Sequence, residues 1–373
     1  MKELEINISK NIDANIGSIN SLEFQENGTE RLKGSYTKLV NNSQEIFDHL
    51  KQSIPNLLDQ NPSRLCSRYF VTKKGIANLT SLIDDQRIEK FLLKVEAQIP
   101  LGKIDRLNNQ EIFWVWVGGN TKNRNLDPTL EKQFLKEIHQ KSEIQLKSHI
   151  EQIPNNYRFV LLGTKKRISQ LQTNEVPKFV KFEEITKDYA TQIAKLYKDR
   201  MPIYVAPNDD PEYILNTVAD SNETVLLVGI NTQTNQIEAV MANEFTQYPL
   251  EDTTINICES NDWIKKRGSE IPKEVLYTVL NIGMINAINH QIDGIEVECV
   301  PESIKLAKEV GGFEATKYFL KRTSFMVTDG KNIEANDTTI PPEYRKFNSL
   351  FLFYITPPTQ SWQFWKELSQ KTT

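Results

Sequence analysis

The sequence has few of the residues that build disulfide frameworks and metal centres. It contains three cysteines, Cys66, Cys258 and Cys299, without a Cys-x-x-Cys pair, and four histidines without metal-ligand spacing. Three cysteines cannot all pair with one another, so we expect buried, reduced thiols and no metal site. This pattern favours a reducing compartment, and we predict a cytoplasmic protein.

Long apolar runs and blocks of positive charge are missing as well. The longest apolar runs, Ile112–Val117 and Val225–Ile230, are far too short to span a bilayer. The polar and charged stretch Met1–Lys10 does not match a secretory signal. The chain has 45 Lys and Arg against 49 Asp and Glu, a net charge of −4, without a polybasic block. We therefore expect neither a nucleic acid nor a membrane surface as partner.

A length of 373 residues favours two domains. Residues 1–45 are polar and rich in Asn and Ser, and we expect a partly disordered or loosely packed arm. Residues 46–175 are predicted to form an N-terminal α/β accessory domain. Residues 178–373 are predicted to form a second α/β domain.

In the N-terminal half, apolar spacing predicts helices over residues 44–99, first around Ile46 and Leu50 and again around Ile88, Phe91 and Val95. A β-branched and aromatic run follows and predicts a buried strand, Ile112–Val117, that ends at two glycines. A helix, Thr129–Ile150, and a strand, Tyr157–Leu162, come next. This order predicts a βαβ unit with two parallel strands.

The C-terminal half begins with a strand, two helices and a hairpin, predicted at Phe179–Ile185, Asp188–Arg200, Pro211–Asp220, Thr224–Asn231 and Ile237–Phe245. The segment that follows is the one around which the rest of the chain is organised. We predict a strand, a basic loop, a helix, a strand and a helix that ends at two glycines, at Ile255–Glu259, Trp263–Ser269, Pro272–His290, Ile295–Val300 and Pro301–Gly312.

The basic loop contains Lys265, Lys266, Arg267, Gly268 and Ser269 and opens onto the N-terminus of the predicted helix. Free backbone N–H groups and the positive helix end favour an anion such as a phosphate at this position. Lys and Arg side chains would add charge-assisted hydrogen bonds. A solvated basic turn is the alternative that the motif leaves open.

The order of these elements resembles the GNAT N-acetyltransferase superfamily over about residues 180–326. That family has a cofactor signature, Arg/Gln-x-x-Gly-x-Gly/Ala, where this chain has Lys265–Glu270. It also has a helix that ends in a Gly-Phe pair, which corresponds here to Gly312 and Phe313. Within the superfamily, Met201–Ile203 and Asp210–Leu215 look like the corresponding segment of β-lysine N-acetyltransferases.

The resemblance implies a mixed, mostly antiparallel sheet flanked by helices, with acetyl-CoA as acyl donor and an amine-bearing small molecule or a protein lysine as acceptor. It implies that the strands carrying Glu259 and Val297 separate to admit the pantetheine arm. It places Lys265, Lys266, Arg267, Gly268 and Ser269 at the cofactor diphosphate.

Acyl transfer to a protonated amine needs a proton acceptor, and a carboxylate on the central strands suits that role. Glu259 is the first candidate and Glu244 the second. The alternative is that both are strand-end carboxylates that face water.

The chain departs from the family pattern at three positions. Glu270 replaces the last small residue of the signature, Pro301 takes the place of a common Asn, and Lys308 takes the place of a frequent Tyr proton donor. A binding or interaction protein that has lost the cofactor site therefore stays open as an alternative.

A second alternative concerns the N-terminal half. The segment Trp116–Asn120, followed by a predicted helix and strand, faintly resembles the start of toxin-type glycosyltransferases. That family needs an Asp-x-Asp metal motif further on, and the following Lys- and Gln-rich stretch, Thr164–Pro177, has none. We read this stretch as a linker and assign no glycosyltransferase residues.

Overall fold

The computed structural model describes residues 11–13, 39–57, 64–107, 109–121, 136, 146–150, 153–171, 173–201, 207–250, 253–268, 271–299, 303–321, 324–326, 332–334 and 349–373. These residues form two main β-sheets flanked by helices. The predicted class, a mixed α/β protein with a mostly antiparallel C-terminal sheet, is confirmed.

The N-terminal sheet has five strands in the order β1-β2-β5-β4-β3. The strands are β1 (Asn11–Asp13), β2 (Arg64–Thr72), β3 (Arg87–Ile88), β4 (Phe91–Asp105) and β5 (Gln110–Thr121). Helices α1 (Ser43–Leu57) and α2 (Leu79–Ile83) cover its outer face. Apolar side chains of both helices form one buried cluster with side chains of β2, β4 and β5.

The prediction of helices over residues 44–99 is correct for α1 and wrong for the second group of apolar residues. Ile88 lies on β3, and Phe91 and Val95 lie on β4. From Phe91 to Leu101 the burial of β4 alternates from residue to residue, as in a strand, with Glu96 at the β-bulge as the exception. The spacing of these apolar residues therefore matched a helix by coincidence.

The predicted βαβ unit is also wrong. Strand β5 continues through Gly118 and Gly119 and pairs antiparallel with both β2 and β4. The next strand, β6 (Tyr157–Gly163), belongs to the other sheet. These two strands therefore do not form the unit that resembled the start of a toxin-type glycosyltransferase. Most of the predicted helix Thr129–Ile150 lies outside the described residues.

A close contact explains why β5 contains a glycine at position 118. A Cβ atom at Gly118 would overlap the carboxylate of Glu96. Glu96 is 4% exposed and sits at a β-bulge between Val95 and Ala97. The glycine makes room for a buried charged side chain and does not mark the end of the strand.

The C-terminal sheet has eight strands in the order β12-β15-β11-β10-β9-β8-β6-β7. Besides β6, its strands are β7 (Lys181–Glu184), β8 (Thr224–Asn231), β9 (Gln236–Pro249), β10 (Thr254–Lys265), β11 (Gly294–Cys299), β12 (Glu314–Lys321) and β15 (Ser349–Ile355). Strands β13 (Ser324–Met326) and β14 (Asn332–Glu334) form a separate pair.

In the described part of the chain, six further α-helices accompany this sheet. They are α3 (Lys165–Ile168), α4 (Lys187–Arg200), α5 (Pro211–Tyr213), α6 (Lys273–Asn289), α7 (Ile304–Leu306) and α8 (Gln360–Thr372). Helix α5 continues as a π-helical turn, Ile214–Val218, and α7 continues as another, Ala307–Gly311. These elements match the predicted order of the C-terminal half, although α3 lies in the stretch read as a linker.

Each face of the C-terminal sheet has its own neighbours. Helices α6 and α8 pack on one face. On the opposite face, α4 and the α5 turn cover one part of the sheet, and the N-terminal sheet covers another. At the junction, Phe70 and Trp114 pack in the same cluster as Tyr248 and Ile257. The two sheets therefore share a buried apolar layer.

The strand pairing bears on the domain division. Strand β6 pairs with β8 and β7, so residues 157–163 lie in the C-terminal sheet although we placed them in the accessory domain. Most of residues 1–45, the predicted arm, lie outside the described residues. The division itself stays a prediction, with β6 moved to the C-terminal side.

Candidate active site

Strands β10 and β11 are neighbours in the sheet but pair over only a short length. Their parallel register joins Ile257, Cys258 and Glu259 to Gly294, Ile295 and Glu296. Beyond this point β10 continues to Lys265 in register with β9 alone, and β11 continues to Cys299 in register with β15 alone. The two strands thus lose their shared ladder after Glu259 and Glu296, as the resemblance implies.

A β-bulge lies in β10 just past that point. Its register with β9 shifts between Asn261 and Ile264, and Asp262 has a φ of 61°. The Tyr197 hydroxyl of α4 donates a hydrogen bond to Asp262 Oδ2 at 2.7 Å, which holds the bulge. Trp263 lies within this strand and not in the loop where we expected it.

Both predicted catalytic carboxylates belong to one row of side chains. Glu259 lies opposite Glu244 on β9 and opposite Glu296 on β11, so the three side chains point to the same face of the sheet. This is the face that carries Ile257 and meets the N-terminal sheet. Glu259 is 6% exposed and Glu296 is 3% exposed. Glu259 is therefore buried, in contrast to the alternative that it faces water.

The N-terminal sheet contributes a cation to this row. Arg68 on β2 is buried, and its Nη1 lies 4.0 Å from Glu296 Oε1. Its guanidinium carbon lies 3.8 Å from the ring centre of Trp116 on β5. A guanidinium stacked on an indole ring has little freedom to move. The sequence offered no signal for this contact, because Arg68 and Glu296 are far apart in the chain.

A cavity of about 220 Å³ lies between α6, the α7 turn and the end of β10. Its charged side chains are Lys265, Lys273, Lys305 and Glu309. Lys305 and Glu309 form an exposed ion pair at 3.7 Å. The remaining lining is apolar or aromatic and consists of Leu276, Tyr277, Leu306 and Val310. Three lysines against one glutamate, beside the N-terminus of α6, favour an anion.

The five predicted cofactor residues do not all reach this cavity. Lys265 lines it and donates from Nζ to the backbone oxygen of Ile271 at 3.1 Å. Lys266 donates from Nζ to Gln236 Oε1, at the turn between β8 and β9. Gly268 has a φ of 147°, a conformation that favours glycine.

The remaining predicted cofactor residues are Arg267 and Ser269. Burial, followed by the positive charge of the nearby Arg267, lowers the pKa of Arg200. Ser269 and its neighbour Glu270 lie outside the described residues. Lys273 and Lys305 line the cavity but are not among the residues predicted from the sequence. For Lys273, the signal was its position directly after Pro272 at the start of a predicted helix.

The tail helix α8 holds the end of the α7 turn. Gly312 has a φ of 72°, as expected of a helix-ending glycine. Trp365 donates from Nε1 to the Gly311 oxygen at 2.9 Å, and Ser361 donates from Oγ to the Gly312 oxygen at 2.5 Å. Phe313 packs against Trp263, with ring centres 5.8 Å apart. These contacts position the wall of the cavity.

Two other groups near the site are buried. Lys308, in the α7 turn, has a pKa lowered by burial. Cys258 lies on β10 next to Glu259, and burial raises the pKa of its thiol well above the usual value. Cys258 packs in the cluster on the α6 side, as expected of a buried strand residue. Its thiol is therefore protonated at neutral pH.

Within the ranges that the structure describes, no group of three or more His, Cys, Asp or Glu side chains is arranged to hold a metal ion. The helices of those ranges are all too short or too polar to cross a bilayer.

Comparisons with known proteins give only distant similarities. No family model and no curated protein matches the chain. Among solved structures, Arabidopsis thaliana NAA60 in complex with acetyl-CoA is 9% identical, covers 47% of this chain and 97% of its own, and has a TM-score of 0.34. A spermidine N-acetyltransferase from Vibrio cholerae is 11% identical, covers 54% and 95%, and has a TM-score of 0.31.

A third similar structure is a probable N-acyltransferase from Enterococcus faecalis, a conserved protein of unknown function. It is 7% identical to this chain and has a TM-score of 0.24. The similarity covers 32% of this chain and only 29% of that one. The structural neighbours include GNAT acetyltransferases, and the similar part is about half of this chain.

Proposed function

We propose that the protein is an N-acyltransferase that transfers an acetyl group from acetyl-CoA to an amine. The observation that carries this proposal is the parting of β10 and β11 after Glu259 and Glu296. The lysine-lined cavity lies on the α6 side of the sheet, and the glutamate row lies on the opposite face. We place the passage between the two sides where these strands stop pairing.

The cavity suits part of the cofactor. Lys265, Lys273 and Lys305, with the free N–H groups at the start of α6, match the charge of a diphosphate. The apolar side chains of Leu306 and Val310 suit the pantetheine arm. When bound, acetyl-CoA supplies an acyl group activated as a thioester.

The carboxylate row suits the amine. An amine that is protonated at neutral pH must lose a proton before it attacks, and Glu259 is the acceptor that we assign, with Glu244 beside it. The negative row also attracts the ammonium form of the substrate. Backbone N–H groups of β10 at the bulge, where the register with β9 skips Asp262 and Trp263, are the donors that we assign to the thioester oxygen.

The reaction also needs a group that donates a proton to the leaving thiolate. Lys308 stands where the resemblance places a Tyr donor, and burial lowers its pKa toward that of a thiol. The amine belongs to a small molecule, as in β-lysine-type enzymes, or to a protein lysine. We place the activity in the cytoplasm, consistent with the buried thiols.

Calorimetry of the full chain with acetyl-CoA tests the cofactor site, and thiol release in the presence of spermidine, kanamycin or a lysine-containing peptide tests the transfer. We expect micromolar binding and amine-dependent thiol release. The absence of heat at millimolar acetyl-CoA would overturn the proposal and support the alternative of a binding protein that has lost its cofactor site.

A further inference from the structure

We propose that Arg68, from the N-terminal sheet, is a positioning residue for acyl transfer that keeps Glu296 ionised beside Glu259. This inference rests on the proposed function. It adds that the N-terminal sheet completes the amine side of the site, so that the C-terminal half alone is incomplete.

The position of Arg68 supports this role. Its side chain is 2% exposed, and the Trp116 ring holds the guanidinium where Nη1 faces Glu296 Oε1. Trp114 packs edge-on against Trp116 with ring centres 5.5 Å apart, and its own ring centre lies 5.7 Å from the guanidinium carbon. An arginine stays charged at any pH that the protein survives. A permanent positive charge therefore stands at one end of the glutamate row.

The charge of Arg68 matters because the carboxylates are neighbours. Two carboxylates on one site tend to share a proton, since their charges repel each other. Glu296 and Glu259 are directly opposite on adjacent strands and both are buried. Arg68 offsets one of these charges, so that Glu296 carries its charge and Glu259 remains available to accept the proton of the amine.

Other titratable groups lie on the strands around the row, and their ionisation can also contribute to a pH profile. They are Glu244 on β9, Cys258 on β10, Glu298 on β11, Tyr354 on β15, Glu314 on β12 and Glu96 on β4. Burial, followed by the nearby Glu314, raises the pKa of Tyr354 to about 12, so it stays neutral. Among these neighbours, Arg68 is the buried cation that the structure pairs with Glu296.

The test uses the full chain and four variants: Arg68→Met, Arg68→Lys, Glu296→Gln and the double variant Arg68→Met/Glu296→Gln. Arg87→Met is the matched control, because Arg87 is an exposed arginine on the same sheet. Acetyl-CoA binding is measured by calorimetry. The kcat and KM for acetyl transfer to spermidine, kanamycin and a lysine-containing peptide are measured from pH 5.5 to 9.

We expect Arg68→Met to bind acetyl-CoA within about twofold of the parent chain and to lose about tenfold or more in kcat, the scale of proton-transfer catalysis. The acidic limb of its pH profile moves to higher pH, because loss of a positive charge favours the protonated carboxyl. Arg68→Lys restores much of kcat. In the Glu296→Gln background, Arg68→Met adds less than about twofold, because its partner is already neutral.

The inference is overturned if kcat and the pH profile of Arg68→Met match those of Arg87→Met, or if the two substitutions act independently in the double variant. If Arg68→Met fails to fold, Arg68→Lys and the double variant decide by the same criteria, since neither leaves Glu296 charged and alone. A parent chain that neither binds acetyl-CoA nor releases thiol overturns the proposed function together with this inference. Normal transfer by Arg68→Met overturns this inference alone.

Discussion

Glu259 and Glu296 lie directly opposite each other on β10 and β11 and are the last residues that these parallel strands pair. Two buried carboxylates at the end of a shared ladder form an unusual arrangement, because charged groups are seldom buried without a partner. Here the N-terminal sheet supplies Arg68 next to Glu296. The sheets are thus joined by charge as well as by their apolar layer.

Substitution of Glu259 separates the two catalytic candidates. Glu259→Gln keeps the volume of the side chain and removes the proton acceptor, so we expect kcat to fall by about 10²-fold or more with acetyl-CoA affinity kept. Steady-state kinetics with the best amine measure it. Glu244→Gln is the matched control, with a smaller expected effect because Glu244 is less buried. A larger loss in Glu244→Gln would reverse the assignment of the base.

The lysine-lined cavity predicts a salt-dependent cofactor affinity. Lys265→Met removes a partly buried cation and should weaken acetyl-CoA binding by about 1.5 kcal/mol, the scale of a hydrogen bond to a charged group. Lys305→Met should cost less, because Lys305 is exposed and already paired with Glu309. Calorimetry at low and high salt measures both. Lys366→Met, on the exposed side of α8, is the control and should change nothing.

Lys308 should determine how the rate of acetyl transfer falls at alkaline pH. If it protonates the leaving thiolate, activity is present below its lowered pKa and is lost as the pH rises through that value. Lys308→Met should lower kcat and remove this alkaline limb. A limb that persists in Lys308→Met would assign the proton to another group.

A side chain at position 118 should create a packing defect. Gly118→Ala places a methyl group against the Glu96 carboxylate inside the protein, so we expect unfolding free energy to fall by about 1–3 kcal/mol. Denaturant unfolding measures the change. In a Glu96→Ala background the same substitution should cost much less, because the overlapping group is gone. Equal costs in the two backgrounds would show that the contact is not the cause.

Because His49 is partly buried, we expect the folded protein to lose stability in mild acid. Burial lowers its pKa to about 4, while the unfolded value is 6.5. The folded state therefore binds the proton less readily, and its contribution to stability is present above pH 6.5 and is lost as the pH falls from 6.5 toward 4. We expect Tm to decline over that window and to decline less in His49→Gln. At pH 7.5 the imidazole is neutral in both states, which makes this pH the reference condition.

Much of the C-terminal half could be predicted from the sequence because its signals are local. Pro272 precedes α6, His290 follows it, and Gly312 ends the α7 turn with a positive φ. These positions depend on backbone conformation within a few residues. The strand Ile112–Val117, part of β5, was predicted, but β3 and β4 were missed. The positions of Ile88, Phe91 and Val95 fit helical spacing, and the partners of β4 in β5 lie further along the chain.

The sequence by itself determined the order of helices and strands around the basic loop, the absence of long apolar runs, and Glu259 and Glu244 as candidate carboxylates. Only the tertiary structure decided that these two glutamates form a row with Glu296, and that Arg68 stands at the end of that row. The physical reason is that strand register and the packing of one sheet on another bring together residues whose separation along the chain carries no information about their distance.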